Sequence, residues 1–210
     1  MKLRRGELIS ILILFIFFTV LYFLMPILPD RMISHWGMDG RPNGWMPKGP
    51  AVFLMPCIGV FMLLLFMAIT RFEPARSNME SFIGAFDTFV NIFILFFVYV
   101  SCIMLASNMG IKFDFAEAMA PAFAGLMYAI SLLIEKTKPN LIVGIRTKET
   151  LNDPEVWQKV HSKGGQLFRY CALACLGGLF LPGFLPVFML VPLFVTSVYL
   201  ASYAKKISKH

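Results

Sequence analysis

Long apolar runs separated by shorter polar segments make up most of the chain. Six runs, at about 8–28, 51–70, 82–106, 118–134, 166–181 and 184–204, each approach the ~20 residues that a helix needs to cross a bilayer core. The last two are separated only by Pro182 and Gly183, which favour a turn. The pattern therefore predicts an all-α membrane protein with six transmembrane helices, forming a single membrane domain over residues 1–210.

Two longer polar segments interrupt the apolar runs, at residues 29–50 and 135–165. In the second segment, Asp153 is placed to cap a helix that begins at Pro154. Five positions recur there at steps of three or four residues and share one helix face: Trp157, Val160, His161, Gly164 and Phe168. We expect an amphipathic helix that bends at Gly164-Gly165 into the next apolar run. The alternative is a plain surface helix in which Trp157 marks the membrane interface.

Composition agrees with a membrane protein. Hydrophobic residues make up 58% of the chain and charged residues only 15%, whereas a soluble domain has nearer half apolar and about a quarter charged residues. The 19 Lys and Arg exceed the 12 Asp and Glu, but the basic residues lie mainly between the apolar runs. We interpret them as topology signals and contacts for membrane lipids, and we expect no direct contact with nucleic acid.

The distribution of basic residues predicts the orientation. With six helices and a cytoplasmic N-terminus, fifteen of the 19 basic residues fall inside and the other four outside, as the positive-inside rule requires. Five helices would instead place Lys205, Lys206 and Lys209 outside. We therefore expect both termini in the cytoplasm, segment 29–50 on the extracytoplasmic side and segment 135–165 on the cytoplasmic side.

The outer segment, residues 29–50, combines Trp36 and Trp45 with several turn-forming residues. This composition predicts a small folded cap at the membrane interface. Asp30, His35 and Asp39 form a possible metal-ligand set, but nearby glycines disfavour the helix that would align them, and no further His or Cys is at hand. We expect no metal here and regard four residues as candidate contacts for a ligand or partner: His35, Trp36, Asp39 and Lys48.

Asp87 is the clearest ionisable residue inside an apolar run. It shares a helix face with Asn91, four residues later, in the third predicted span. Ionisable groups within a bilayer usually face the bundle interior or a water-filled cavity. We expect Asp87 to pair with Arg146 or Arg169 of the inner region; the alternative is a place in an ion or proton path.

No catalytic pattern is evident in the sequence. His161 and Ser162 are adjacent in the predicted helix, so their side chains point apart and do not form a nucleophile–base pair. HExxH, GxSxG and Walker motifs are absent. The four cysteines all fall within predicted spans, where buried apolar thiols are expected instead of disulfides or metal ligands. We expect no enzyme activity and no cofactor.

Two stretches resemble the signatures of the SdpI-like immunity proteins, which are six-helix membrane proteins of bacteria and archaea. One is LPDRMISHWGMDGRPNGWMPK in the outer segment, and the other is GIRTKETLNDPEVWQKVHSKGGQLF in the inner segment. The matching positions of the first are Pro29, His35, Gly40 and Lys48, with Trp36 where the family often has Phe. Those of the second are Asn140, Gly144, Arg146, Thr147, Thr150, Leu151, Trp157, His161 and Gly165. Lys148-Glu149 departs from the family, which has a Pro-aromatic pair there.

The resemblance covers nearly the whole chain and implies protection of the cell from a secreted toxic peptide. In the best-known member the same protein also senses the toxin and captures a cytoplasmic repressor at the membrane. By this analogy the inner partner-binding residues are Asn140, Gly144, Arg146, Thr147, Thr150, Trp157 and His161. The residues alone leave two alternatives: a small ion- or solute-coupled transporter built around Asp87, and a membrane enzyme with His35 or His161 as base.

The six-helix arrangement predicts where the C-terminus lies. Because Pro182-Gly183 turns the chain just outside the membrane, a reporter fused after His210 should be active in the cytoplasm. Two reporters fused at the same site, one active only inside the cell and one only outside, make the comparison internally controlled. Activity of the exterior reporter alone would contradict the arrangement.

Overall fold

The computed structural model describes residues 2–37, 40–71 and 78–208. Asp39, Lys209 and His210, which carry predictions above, lie outside these ranges. The α-helices of the described residues are α1 Arg5–Leu24, α2 Lys48–Ile69, α3 Ile83–Asn108, α4 Phe115–Lys136, α5 Lys148–Asn152, α6 Pro154–Cys175 and α7 Leu185–Ile207. Two short strands, β1 Arg31–Trp36 and β2 Pro42–Pro47, form an antiparallel hairpin between α1 and α2.

Among the described residues, five segments are long and apolar enough to cross a membrane. They are Arg5–Ile27, Lys48–Ile69, Glu80–Asn108, Phe115–Lys136 and Pro182–Ile207, and they correspond to the first four predicted spans and the last one. The protein is therefore a mostly helical, multi-pass membrane protein of the cell membrane, as predicted.

The remaining predicted span, 166–181, does not start as a separate helix. Helix α6 begins at Pro154, where the Asp153 carboxylate accepts hydrogen bonds from the backbone N–H groups of Glu155 (2.7 Å) and Val156 (3.3 Å), which confirms the predicted cap. The helix then continues without interruption to Cys175 and is followed by a 3₁₀ turn, Leu176–Leu179. The predicted amphipathic helix and the first part of the predicted span are thus one element.

Gly164 and Gly165, where the sequence predicts a bend, lie inside the single helix α6, and both allow close packing. A Cβ atom at Gly165 would collide with the side chain of Glu135 on α4, and one at Gly164 would lie 2.7 Å from Cδ1 of Ile145. Helix α4 and the polar segment before α5 therefore approach the α6 backbone more closely than any larger residue would allow.

Among the described residues, buried side chains form four hydrophobic clusters. One joins α4, α6 and α7 through residues such as Ile134, Val160 and Leu200. A second joins α1, α2 and α3, a third packs the hairpin onto the adjacent ends of α1, α2 and α3, and a fourth joins α3, α4 and α7. Helix α6 lies along α4, with Trp157 hydrogen-bonded to Thr137 at one end and Gly178, just beyond α6, against Ala120 at the other. We call these ends of the bundle the inner end and the hairpin end.

The sequence predicts a folded cap for the outer segment but does not predict the two strands of this hairpin. Its strands are short, begin and end with residues such as Pro42 and Pro47, and contain register shifts around His35. The side chain of Asn108, the last residue of α3, stabilises it by accepting from the Ile33 N–H (2.7 Å) and donating to the Ile33 carbonyl (3.0 Å). The Asn108 carboxamide thus replaces a third strand at this edge.

The expected pairing of Asp87 with Arg146 or Arg169 is wrong. Asp87 instead accepts hydrogen bonds from Arg4, with distances of 3.0 Å from Nε to Oδ2 and 2.9 Å from Nη2 to Oδ1. Gly6 makes this possible, since a Cβ atom there would overlap the Asp87 side chain. Arg169 pairs with Glu135, because α6 packs against α4 and not against the Asp87 region of α3.

A second carboxylate extends this pair into a small ionic cluster at the inner end. Glu7 is buried and accepts two hydrogen bonds from Arg71, at 2.7 Å and 2.8 Å, while Arg4 also contacts Glu7 at 2.9 Å. One turn deeper, the Ser10 hydroxyl donates to the Asn91 side chain at 2.6 Å. Both carboxylates face guanidinium groups, so the cluster joins the start of α1 to the end of α2 and to α3.

Candidate functional site

The inner segment folds into a tight turn, residues 140–147, whose first half is shaped by one side chain. The Asn140 carbonyl oxygen accepts from the backbone N–H groups of Ile142 (2.8 Å) and Val143 (2.7 Å). Its amide nitrogen donates to the carbonyls of Lys138 and Val143, both at 2.8 Å. Asn140 is buried, so this side chain substitutes for the backbone partners that a regular element would supply.

The second half of the turn is closed by Thr147 and Thr150. Thr147 caps α5, and the two residues exchange hydrogen bonds between hydroxyl and backbone N–H at 3.3 Å and 2.9 Å, which is a capping box with Thr in place of Glu. The buried Thr150 hydroxyl also donates to the Ile145 carbonyl at 2.8 Å. Lys148 and Glu149, where this sequence departs from the family pattern, occupy the first two positions of α5. The helix therefore forms without the Pro-aromatic pair.

Trp157 and His161 clamp the turn onto α6. The Nε2 atom of His161 accepts a hydrogen bond from the Ile145 N–H at 2.9 Å, and its Nδ1 donates to the Trp157 carbonyl at 2.8 Å. The two rings stack with centroids 4.0 Å apart, and the Trp157 indole N–H donates to the Thr137 carbonyl at 3.1 Å. Each side chain is only 1% exposed. The predicted helix face is therefore real, and it contacts the turn.

Gly144 is the one position of the turn that requires glycine. Its φ of +135° is a conformation that L-residues rarely adopt, and a Cβ atom would lie 2.5 Å from Nε2 of His161 and 2.9 Å from the Trp157 ring. The hydrogen bond to Ile145 can form only because the backbone passes directly over these two rings. The second signature has glycine at this position because a side chain would collide with the two rings.

The hydrogen bonds assign His161 the neutral form with its proton on Nδ1, because Nε2 must accept from Ile145. Burial of the imidazole lowers the pKa of His161 from 6.5 to about 4, and the hydrogen bond to the Trp157 carbonyl opposes this only partly. A protonated Nε2 would turn from acceptor to donor and face the Ile145 N–H. The clamp therefore depends on a neutral ring.

Arg146 is the one cation within residues 140–147. It follows Ile145 directly and is solvent-exposed. It has no hydrogen-bond or ion-pair partner within residues 2–37, 40–71 and 78–208. The guanidinium is thus presented by a turn whose neighbouring residues are fixed by Asn140, Thr150 and His161. Such a group can bind a carboxylate or phosphate with two parallel hydrogen bonds.

In the outer segment, two candidate residues hold the hairpin and one faces solvent. Trp36 stacks on Phe115 at the start of α4, with centroids 4.1 Å apart. Lys48 donates to the Leu28 carbonyl at 3.0 Å and pairs with Asp30 at 3.2 Å. His35 is exposed and its Nδ1 contacts the Asn43 side-chain oxygen.

The geometry gives no support to a metal site among the described residues, where no group of three His, Cys, Asp or Glu side chains is suitably placed. Asp30 is paired with Lys48 instead. Asp39 lies outside the described residues. The candidate residues therefore fall into two sites at opposite ends of the bundle: the outer hairpin with exposed His35, and the inner turn with exposed Arg146.

Sequence reasoning missed three residues that support these sites. Arg4 anchors Asp87, Asn108 completes the hairpin edge, and the Thr137 carbonyl receives the Trp157 indole. Arg4 was identifiable only as a topology signal and Asn108 only as the first residue of a loop. Their partners are far away in sequence, so no local pattern indicated these contacts.

Comparison with known proteins agrees with the resemblance. Residues 11–60 match a family model described as a domain of unknown function (DUF1648), and residues 136–203 match the SdpI/YfhL protein family. The chain is 21% identical to the immunity protein SdpI of Bacillus subtilis (strain 168) over 214 residues, covering 97% of this chain and 98% of that protein. No solved structure matches. The two family matches contain the outer hairpin and the inner turn, respectively.

Protonation of His161 should make the fold sensitive to mild acid. Because the pKa of His161 is about 4 in the folded protein and 6.5 in the unfolded chain, the unfolded chain binds more protons between these values, and stability falls as the pH drops from 6.5 towards 4. Between pH 7 and pH 5 this residue should account for a loss of about 2 kcal/mol, measurable by unfolding in detergent.

The matched variants are His161→Gln, which removes the titrating group while keeping a hydrogen-bond acceptor, and His35→Gln at the exposed histidine. His161→Gln should show a smaller loss of stability between pH 7 and pH 5 than the wild type, and His35→Gln should behave like the wild type. Equal pH dependence of the wild type and His161→Gln would contradict the assigned ring state.

Proposed function

Because the chain is an SdpI-like membrane protein, we propose that it is an immunity protein that protects its cell from a secreted antimicrobial peptide. The observation that carries this proposal is the end-to-end similarity to the Bacillus subtilis immunity protein, which covers 97% of this chain. The match extends through both polar sites and not only through the apolar helices, where composition alone produces similarity.

We further propose six membrane crossings with both termini in the cytoplasm. The distribution of basic residues supports this orientation. Helix α6 supports the additional crossing, because it runs beside α4 from the inner turn to the hairpin end, with Gly165 against Glu135 and Gly178 against Ala120. The hairpin would then be extracytoplasmic and the inner turn cytoplasmic.

The hairpin is the surface that an extracytoplasmic peptide would meet first under this orientation. Trp36 and Lys48 fix the hairpin to the bundle through Phe115 and Leu28, while His35 remains exposed. We assign the direct contacts with the peptide to His35 and to Asp39, the second of which lies outside the described residues. The anchored residues Trp36 and Lys48 position those contacts.

The inner turn is suited to a second, cytoplasmic contact. Asn140, Gly144, Thr147, Thr150, Trp157 and His161 act by fixing the backbone, and Arg146 is the group left to touch a partner. A carboxylate-bearing cytoplasmic protein, such as a repressor held at the membrane, has the chemistry that Arg146 would bind. The pairing of Asp87 with Arg4 gives a structural role to the carboxylate on which a transporter would depend, so immunity remains the better-supported function.

Protection can be tested by deleting the gene and exposing the cells to culture fluid of the parent strain. The deletion strain should become sensitive, and the wild-type gene should restore survival. His35→Ala should lower the highest concentration of secreted peptide that the cells survive by at least about tenfold. This is the change expected for losing a contact of roughly 1.4 kcal/mol.

Membrane abundance of each variant is measured in the same cells, and Lys112→Ala, at another exposed residue of the hairpin end, serves as the control that should protect normally. A deletion strain as resistant as its parent to every secreted peptide fraction would refute the immunity function. Full protection by His35→Ala would remove the hairpin from the site while leaving the function standing.

A further inference from the structure

An apolar groove lies beneath the inner turn, between the ends of α2, α3 and α4. Its volume is about 390 Å³, and every residue that lines it is apolar. Phe66 and Ile69 contribute from α2, Phe86 and Phe89 from α3, and Ile142 and Val143 from the turn. The volume falls within the range of small-molecule sites, roughly 300 to 1,000 Å³.

The burial of the lining residues shows which side of the groove is open. Phe86 and Leu133, at the back, are buried, whereas Ile69 and Val143 are only half-buried. The groove is thus open at the bundle surface and is not an enclosed void. The lining side chains offer no hydrogen-bond donor or acceptor, so the part of an occupant that enters the groove gains no hydrogen bond from them. A hydrocarbon chain is the occupant that suits these apolar side chains.

The position of the groove identifies the source of that hydrocarbon. Helices α2, α3 and α4 all belong to segments that can cross a membrane, and the groove lies at their inner ends. It includes Ile69, the last residue of α2, and reaches one helical turn deeper through Phe66 and Phe89. Acyl chains of the adjacent leaflet lie at this depth and run in the same direction.

Exposed cations suit the head of the same molecule. Lys136 and Lys138 follow the α4 residues that line the groove, and both are solvent-exposed. A phospholipid whose chain entered the groove would have its phosphate near the membrane surface, where such side chains attract anionic groups. The exposed lysines suit the phosphate and the apolar groove suits the acyl chain, so both features fit a phospholipid.

We propose that this groove binds one acyl chain of a phospholipid from the leaflet at the inner end. The chain packs against Ile142 and Val143 on the side of the turn opposite the His161 clamp. The turn that presents Arg146 is then held by a protein side chain on one side and by a lipid on the other. This site is independent of the immunity function, since it requires only the apolar lining and a membrane.

Trp157 offers a direct probe of the groove. Its ring lies 2.9 Å from the position of a Cβ atom on Gly144, which is a lining residue. Replacing Trp36 and Trp45 by Phe leaves Trp157 as the sole tryptophan of the chain. The purified protein is reconstituted in vesicles of phosphatidylcholine with either plain or brominated acyl chains, and bromine quenches only a nearby tryptophan.

Brominated chains should quench Trp157 even though it is 1% exposed. Val143→Phe and Ile69→Phe, which fill the groove from two different elements, should each reduce this quenching by at least about half, because they displace the chain. The matched control is Leu95→Phe on the exposed surface of α3, which should quench like the parent. Helix content measured by circular dichroism identifies any variant that fails to fold.

Absence of quenching in the parent protein overturns the proposal whatever the variants do. Equal quenching in the parent and both groove variants, or an equal decrease in Leu95→Phe, also overturns it, because the signal would then report general contact with surrounding lipid. Quenching that disappears as the protein-to-lipid ratio rises would assign the groove to a second copy of this chain instead.

Discussion

The hydrogen bond from the Ile145 N–H to the His161 ring is the interaction on which the inner site depends. It requires a neutral imidazole whose Nδ1 proton is directed to the Trp157 carbonyl, and it requires Gly144 so that the backbone can pass over both rings. Removing any one of these conditions would break this hydrogen bond between the turn and α6. The other contacts of Trp157, with Thr137 and with the ring of His161, keep the acceptor in place.

Much of this arrangement is predictable from local sequence. Asp153 and Pro154 predict where α6 begins, and the four-residue spacing of Trp157 and His161 places them on one face; both expectations are confirmed. The partner of that face was not predictable, because the turn folds back on α6 through side-chain bonds that follow no periodic pattern. The Arg4–Asp87 pair joins residues 83 positions apart, and the hairpin depends on Asn108 of a distant helix, so both are products of tertiary packing.

The two sites occupy opposite ends of a bundle whose helices connect them. Helix α1 leads through the 3₁₀ turn Met25–Ile27 to the hairpin at one end, and Arg4 and Glu7 of the ionic cluster lie at its start. Helix α3 likewise ends at Asn108 beside the hairpin and begins near Asp87. A displacement of the hairpin would therefore act on α3, which also lines the groove beneath the inner turn. This gives the proposed outer and inner contacts a physical connection through packed helices.

Arg146 provides the most direct test of the central claim that the rigid inner turn presents a functional cation. Because Arg146 is exposed and has no hydrogen-bond or ion-pair partner among the described residues, Arg146→Lys should fold and insert normally while losing the planar fork that binds a carboxylate. Cell protection should be lost in Arg146→Lys and kept in Lys148→Arg, its exposed neighbour, at equal membrane abundance. Wild-type protection by Arg146→Lys would contradict the account and show that the turn serves only as a membrane anchor.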